Sequence, residues 1–180
     1  MDKPLSIKQN DKADEENIEE EMIRGDNRIR SCVVWTQIPI LTWIMPMFGH
    51  VGICDSNGCV HDFQGPYYVG HGKMLFGDPR QRWVLNIDPR TLDSAIAEVS
   101  NDFKLVPYNL LCSNCHYFVA SVLDRAGYQP MGCFKNWHRG ATGKIAWGLV
   151  LHGRSLTVSD FLLTWIPFLI FYGIIILVVV

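Results

Sequence analysis

In Tyr108-Asn109-Leu110-Leu111-Cys112-Ser113-Asn114-Cys115-His116-Tyr117-Phe118-Val119 an extended run gives way to an apolar helix, with Cys115 at the join. Ser113 or Asn114 offers the side-chain oxygen that caps such a helix, and Gly127 ends it. Cys115, Val119, Val122 and Ala126 then lie along one side. A thiol in the first helical turn sits among unpaired N–H groups at the positive end of the helix dipole, which favours the thiolate. The same amides can hold an oxyanion. A nucleophilic thiol also needs a base, and Gly49-His50-Val51-Gly52-Ile53 supplies a histidine on a strand-like run upstream.

A third group orients the imidazole in such a centre, and the segment after His50 offers two. His50 to Cys54 and Cys59 to Phe63 flank Asp55-Ser56-Asn57-Gly58, a hairpin signal. Cross-strand partners share a face and side chains alternate along each strand, so register selects the residue. A four-residue loop, with Cys54 opposite Cys59, puts His61 one diagonal from His50. An odd loop count puts Asp62 there instead. The four-residue loop is the favoured reading and Asp62 the alternative. The candidate catalytic set is therefore Cys115, His50, and either His61 or Asp62.

Plainer readings stand beside these. His50 can be a satisfied core histidine, and Asp62 can cap a turn through Gly65. Cys54 and Cys59 read as small core residues close across the hairpin, His116 as a partly exposed first-turn residue, and His71 and His152 as loop or helix-end positions. Cys112-x-x-Cys115 with Cys133 and His138 has the spacing of a structural zinc set. The catalytic reading needs no cofactor and no metal.

Around this centre the coarse order is legible. Ser31 to Trp35 reads as a strand, and Trp83 to Ile87 as another. Thr91 caps a helix in which Leu92, Ala95, Val99 and Phe103 share a face. Trp35 to Phe48 is apolar but holds Pro39 and Pro46, which forbid an unbroken helix; it reads as core strand plus loop, or as a loop touching a bilayer. Ile145 to Leu151 reads as a short interfacial helix between Lys144 and Arg154.

The two ends differ in composition. Residues 1–30 hold nine of the 18 acidic and six of the 16 basic residues with few large apolar ones, so they read as a disordered acidic leader rather than a signal peptide. Phe161 to Val180 is uncharged over twenty residues, about 30 Å of helix, enough to cross a bilayer. Lys135, Arg139, Lys144 and Arg154 precede it, which places the domain in the cytosol. The expected division is leader 1–30, catalytic-type domain 31–130, linker with interfacial helix 131–158 and anchor 159–180. The formal net charge of −2, with no basic stripe, argues against nucleic acid as a partner.

Cys32-Val33-Val34-Trp35-Thr36, Pro39, Gly49-His50-Val51-Gly52-Ile53-Cys54, Asp62-Phe63-Gln64-Gly65-Pro66-Tyr67, Phe76-Gly77, Tyr108-Asn109, Asn114-Cys115-His116 and Thr164-Trp165-Ile166-Pro167-Phe168 resemble the transmembrane protein 222 family. In plants it is called the reversion-to-ethylene-sensitivity family. That resemblance implies an endoplasmic-reticulum and Golgi membrane protein that modulates a hormone receptor. The same residues are more distantly similar to circularly permuted papain-like enzymes of the NlpC/P60 kind, such as the lecithin–retinol acyltransferase group. This second resemblance implies an α+β fold with Cys115 as nucleophile, His50 as base and His61 as third polar residue. It also implies chemistry on acyl ester, thioester or isopeptide bonds. The expected partners are the lipid bilayer, an acyl-lipid or acylated-protein substrate, and a membrane receptor.

Overall fold

Every residue of Cys-Val-Val-Trp-Thr at 32–36 is buried, the pattern of a strand covered on both faces. The computed structural model describes residues 26–109, 113–129 and 140–179. In it β1 (Cys32–Thr36) lies near the middle of a six-stranded antiparallel sheet with β2 (His50–Cys54), β3 (Val60–Gly65), β4 (Tyr68–His71), β5 (Gln81–Val84) and β6 (Arg154–Ser155), in the order β4-β3-β2-β1-β5-β6. A short helix, α1 (Leu41–Ile44), follows β1. Two longer helices, α2 (Pro89–Phe103) and α3 (Cys115–Arg125), pack against each other, and α3 lies on β2 and β3. The chain closes with α4 (Ala141–His152) and α5 (Val158–Val179). The fold is a mixed α/β domain with an antiparallel sheet and a C-terminal apolar helix.

Alternation in β1 separates two cores. Val33 and Trp35 join Val51, Ile53 and Phe63 under the helices, against Leu92, Phe103, Phe118 and Leu123. Cys32 and Val34 face the other way, with Ile29, Cys54, Val60 and Met74. α2 shows the apolar face read from Leu92, Ala95, Val99 and Phe103. Its cap, however, is Asp88 rather than Thr91: the Asp88 carboxylate accepts the Thr91 backbone N–H at 2.9 Å, and Pro89, which has no N–H to satisfy, opens the helix.

Helix α4, read from the sequence as interfacial, packs into the domain. Its Ile145, Ala146 and Leu149 are buried, and it packs on α3 and β5, while Trp147, Val150 and Leu151 remain exposed. Gly148 lets Trp83 close on that helix, since a Cβ there would meet the indole at 2.4 Å. Helix α5 buries only Thr164 and is long and apolar enough to cross a membrane. The loop over Trp35 to Phe48 runs beside it: Tyr172 donates its hydroxyl to the Ile44 carbonyl at 3.2 Å, and Trp43, Met45 and Met47 are exposed.

Residues 1–25 of the acidic leader and the segment 130–139, with Lys135, Arg139, Cys133 and His138, lie outside the described residues, as does Cys112; the end of that leader is structured, with a short 3-10 helix at Asn27–Ile29 capped by Asp26 and Ile29 buried. The four-residue zinc reading therefore has only Cys115 inside them.

Candidate functional site

The β2–β3 hairpin decides which side chain meets His50. Its register is Ile53 opposite His61 and Cys54 opposite Val60, not Cys54 opposite Cys59. The turn therefore holds the odd set 55–59. The Asp55 side chain is the cause: Oδ1 accepts the backbone N–H groups of Asn57 and Cys59 at 2.9 Å each, and the Asp55 N–H reaches the Cys59 carbonyl at 3.1 Å. These bonds draw Cys59 into the turn, helped by Gly58 at φ +86°. Cys54 therefore stands opposite Val60 rather than Cys59 across the hairpin, and opposite Cys32 on its β1 side.

One residue of register moves every side chain of β3 to the other face. Asp62 thus arrives where the four-residue loop would have put His61. Asp62 Oδ2 lies 2.5 Å from His50 Nε2, with both side chains sealed from solvent. Leu75 N–H donates to the same oxygen at 3.1 Å, and Gln64 Nε2 donates to Oδ1 at 2.9 Å. Two glycines leave the room. A Cβ at Gly52 would meet Asp62 Cβ at 3.2 Å, and one at Gly70 would overlap the Gln64 amide. Phe76 stands edge-on to the His50 ring, with centroids 5.4 Å apart.

Cys115 reaches His50 from α3. Asn114 caps that helix by accepting the Tyr117 N–H at 3.0 Å, which leaves Cys115 as its first residue, buried and facing the sheet. Asn114 also donates to Thr142 Oγ1 at 3.4 Å, tying the helix start to α4. Because Nε2 of His50 is engaged by Asp62, Nδ1 is the ring nitrogen left for Cys115.

Electrostatics follow from this geometry. Burial pushes the His50 imidazole toward the neutral form, but Asp62 and the Cys115 sulfur outweigh it and hold the imidazolium to about 9. Burial likewise opposes the Cys115 thiolate. Hydrogen bonds and positive charge from His116 and then His50 overcome it and bring the thiol down to about 5. Burial and the negative sulfur of Cys115 push the Tyr108 hydroxyl up to about 12. Near neutral pH the centre is a thiolate–imidazolium pair, backed by a buried carboxylate, with a phenol that stays protonated.

The structure brings Cys115, His50 and Asp62 together and leaves His61 apart. His61 Nε2 faces Asp55 Oδ2 at 3.4 Å, and its Nδ1 meets His71 Nδ1 at 2.9 Å. His71 ends β4, and His152 stacks on Trp83 at the end of α4.

Two neighbours escaped the sequence reading. His116 is buried rather than partly exposed, with Nδ1 3.5 Å from Cys115 Sγ. Tyr108 stacks on Phe63 with ring centroids 5.2 Å apart and borders the thiol. The signal for Tyr108 is the Tyr108-Asn109 pair that opens the cysteine run and is itself among the residues of the family resemblance. Nothing in the sequence marked His116, whose burial comes from tertiary packing.

A family model described as RTE1-like matches residues 24–92 and 86–142. The chain is 27% identical over 160 residues to the Arabidopsis thaliana protein named Reversion-to-ethylene sensitivity1. The alignment takes in 76% of this chain and 62% of that protein, so the chain spans less than two thirds of its relative's length. No solved structure matches the chain.

Proposed function

The chain belongs to the RTE1-like family, and on that premise we propose that it is a membrane-anchored regulator that binds and modulates a receptor or another membrane protein. The supporting observation is the likeness to a plant protein named for ethylene sensitivity, together with the exposed apolar helix α5. The bilayer is the first partner, and the membrane is that of the endoplasmic reticulum and Golgi. Basic residues ahead of α5, Lys144 and Arg154 among them, favour a cytosolic domain. The docking face for a membrane partner is the apolar edge where Trp43, Met45 and Met47 stand exposed beside α5.

A second reading rests on the buried Cys115–His50–Asp62 geometry. It is a cysteine hydrolase or acyltransferase working on acyl ester, thioester or isopeptide bonds at the membrane surface. The chain order of His50, Asp62 and Cys115, with the cysteine helix lying on the histidine strand, supports a circularly permuted papain-like arrangement. The motifs shared with the transmembrane protein 222 family belong to the same inference. In this mechanism the Cys115 thiolate attacks the carbonyl carbon and His50 delivers its Nδ1 proton to the leaving group. An acyl-thioester on Cys115 is then resolved by water or an acceptor. Asp62 holds the imidazole throughout. A cleft of about 560 Å³ lined by Trp35, Ile44, Phe48, Leu149, Phe161 and Trp165 adjoins α5 and has the apolar lining an acyl chain needs, though none of Cys115, His50 and Asp62 lines it.

The two readings part on one comparison. A receptor-response assay with Cys115→Ser beside Trp43→Glu/Met47→Glu separates them. Loss only with the apolar-edge variant supports the regulator. Loss with Cys115→Ser, with the protein still folded and membrane-bound, supports thiol chemistry and contradicts a purely binding role.

A further inference from the structure

We propose that the hairpin turn binds one zinc ion through Asp55, Cys59 and His61, with His71 holding the histidine ligand from behind. One ligand atom from each of the three lies within 4.8 Å of the other two. The donor set is a thiol, an imidazole and a carboxylate, and a soft sulfur beside nitrogen and oxygen selects zinc over magnesium or calcium.

The geometry is built rather than incidental. Asp55 spends Oδ1 on the Asn57 and Cys59 amides, which fixes the carboxylate and leaves Oδ2 turned toward His61. The Oδ2 to His61 Nε2 distance is 3.4 Å. That is longer than a charge-assisted hydrogen bond, ~2.7–2.9 Å. It matches the edge of a tetrahedron: two ligands each ~2.0–2.1 Å from a shared zinc lie about 3.3 Å apart. By contrast, the fully buried His–Asp pair, His50–Asp62, closes to 2.5 Å.

His61 also has a partner on its other ring nitrogen. Its Nδ1 faces His71 Nδ1 at 2.9 Å, and in the zinc-bound form the proton sits on His61 Nδ1 and is donated to His71, which leaves the Nε2 lone pair for the metal. The two rings meet edge to face, which aims the His71 nitrogen at the edge of His61. The side chains of His61 and Asp55 are 13% and 19% exposed, enclosed yet reachable by an ion. Three protein ligands leave a fourth position for water. Binding ionises Cys59, and its proton passes to solvent. His61 and Asp62 are adjacent in β3 and point to opposite faces. The ion would therefore clasp the five-residue turn whose register delivers Asp62 to His50.

The test uses the full chain in detergent, stripped with a chelator and titrated with cobalt and then zinc. Metal is counted by mass spectrometry, and cobalt binding is read from thiolate-to-cobalt charge-transfer absorption. The expected result is one equivalent, kept by Cys115→Ser and lost in Cys59→Ser and in His61→Gln. His71→Ala should weaken binding by about 10–100-fold. Should Cys59→Ser fail to fold, zinc protection of Cys59 from alkylation in the unmutated chain reads the same contact. The proposal is overturned if the unmutated chain binds no metal. It is equally overturned if bound metal persists in Cys59→Ser and His61→Gln, or if zinc leaves Cys59 unprotected.

Discussion

Asp62 Oδ2 and His50 Nε2 lie 2.5 Å apart with no solvent reaching either side chain. A charged pair removed from water is tolerated only when its remaining hydrogen-bonding capacity is met, and here Gln64 and the Leu75 amide meet that of the carboxylate. Removing one partner strands the other. Asp62→Ala should therefore destabilise the domain by about 3–5 kcal/mol. Urea unfolding of the full chain in detergent, with the midpoint compared to that of the unmutated protein, measures it. A change within about 0.5 kcal/mol, the scatter of surface substitutions, would mean the pair is not formed.

Gly52 is the space through which that pair closes. A methyl group there meets the His61 carbonyl and Val60 Cγ1 at 3.0 Å and Asp62 Cβ at 3.2 Å. Gly52→Ala should cost about 1–3 kcal/mol and push Asp62 off His50. The Cys115 thiol then loses part of its support, so its alkylation at pH 6 should slow. Normal stability with normal reactivity would contradict the crowding.

Asn114 does two jobs at the start of α3: it caps the helix through Tyr117 N–H and reaches Thr142 on α4. Asn114→Ala should cost about 0.5–2 kcal/mol from the cap and slow Cys115 alkylation by loosening the first turn. Asn114→Asp, which keeps the capping oxygen, should restore stability; if it does not, the cap is not the source of the loss.

Phe118 lies wholly buried among Phe103, Val119 and the sheet. Phe118→Ala should destabilise by about 3–5 kcal/mol through lost transfer energy and the cavity left behind. It should do so without altering the cobalt absorption assigned to the hairpin, because the turn is held by the Asp55 carboxylate and by Ser56 bonded to Asp93 of α2, not by α3.

How much of this was legible in the chain depends on the range of the interaction. The helix of Cys115, its Asn114 cap and its Gly127 stop are local, and periodicity and capping chemistry reveal them. Composition alone marks α5. Both hairpin strands were visible, but not their register. That turned on the Asp55 carboxylate gathering two amides, a side-chain choice that no count of apolar residues reports. The cap of α2 was misplaced by three residues because Thr91 is itself a good capping residue, while Pro89 at the first helical position pointed to Asp88. His116 could not be read: a first-turn residue is buried or exposed according to what packs above it, which is a tertiary fact.

Cys115 and His50 form the reactive pair of the site, with His116 beside the thiol, and the pH profile of that pair is the measurement to make. The rate of alkylation of each cysteine would be followed by mass spectrometry from about pH 4 to about pH 10, a range that brackets the free His value of ~6.5 and the free Cys value of ~8.5, with and without His50→Ala. A thiol lowered to about 5 is protonated only below that value, and an imidazolium raised to about 9 is lost only above it. The pair should therefore persist between them. Cys115 should react across that window with an acid limb near pH 5, and His50→Ala should move the limb part of the way toward the free-thiol value of ~8.5, with His116 beside the sulfur holding the remainder. A Cys115 that titrates near ~8.5 in the unmutated protein, or one indifferent to His50→Ala, would contradict the account.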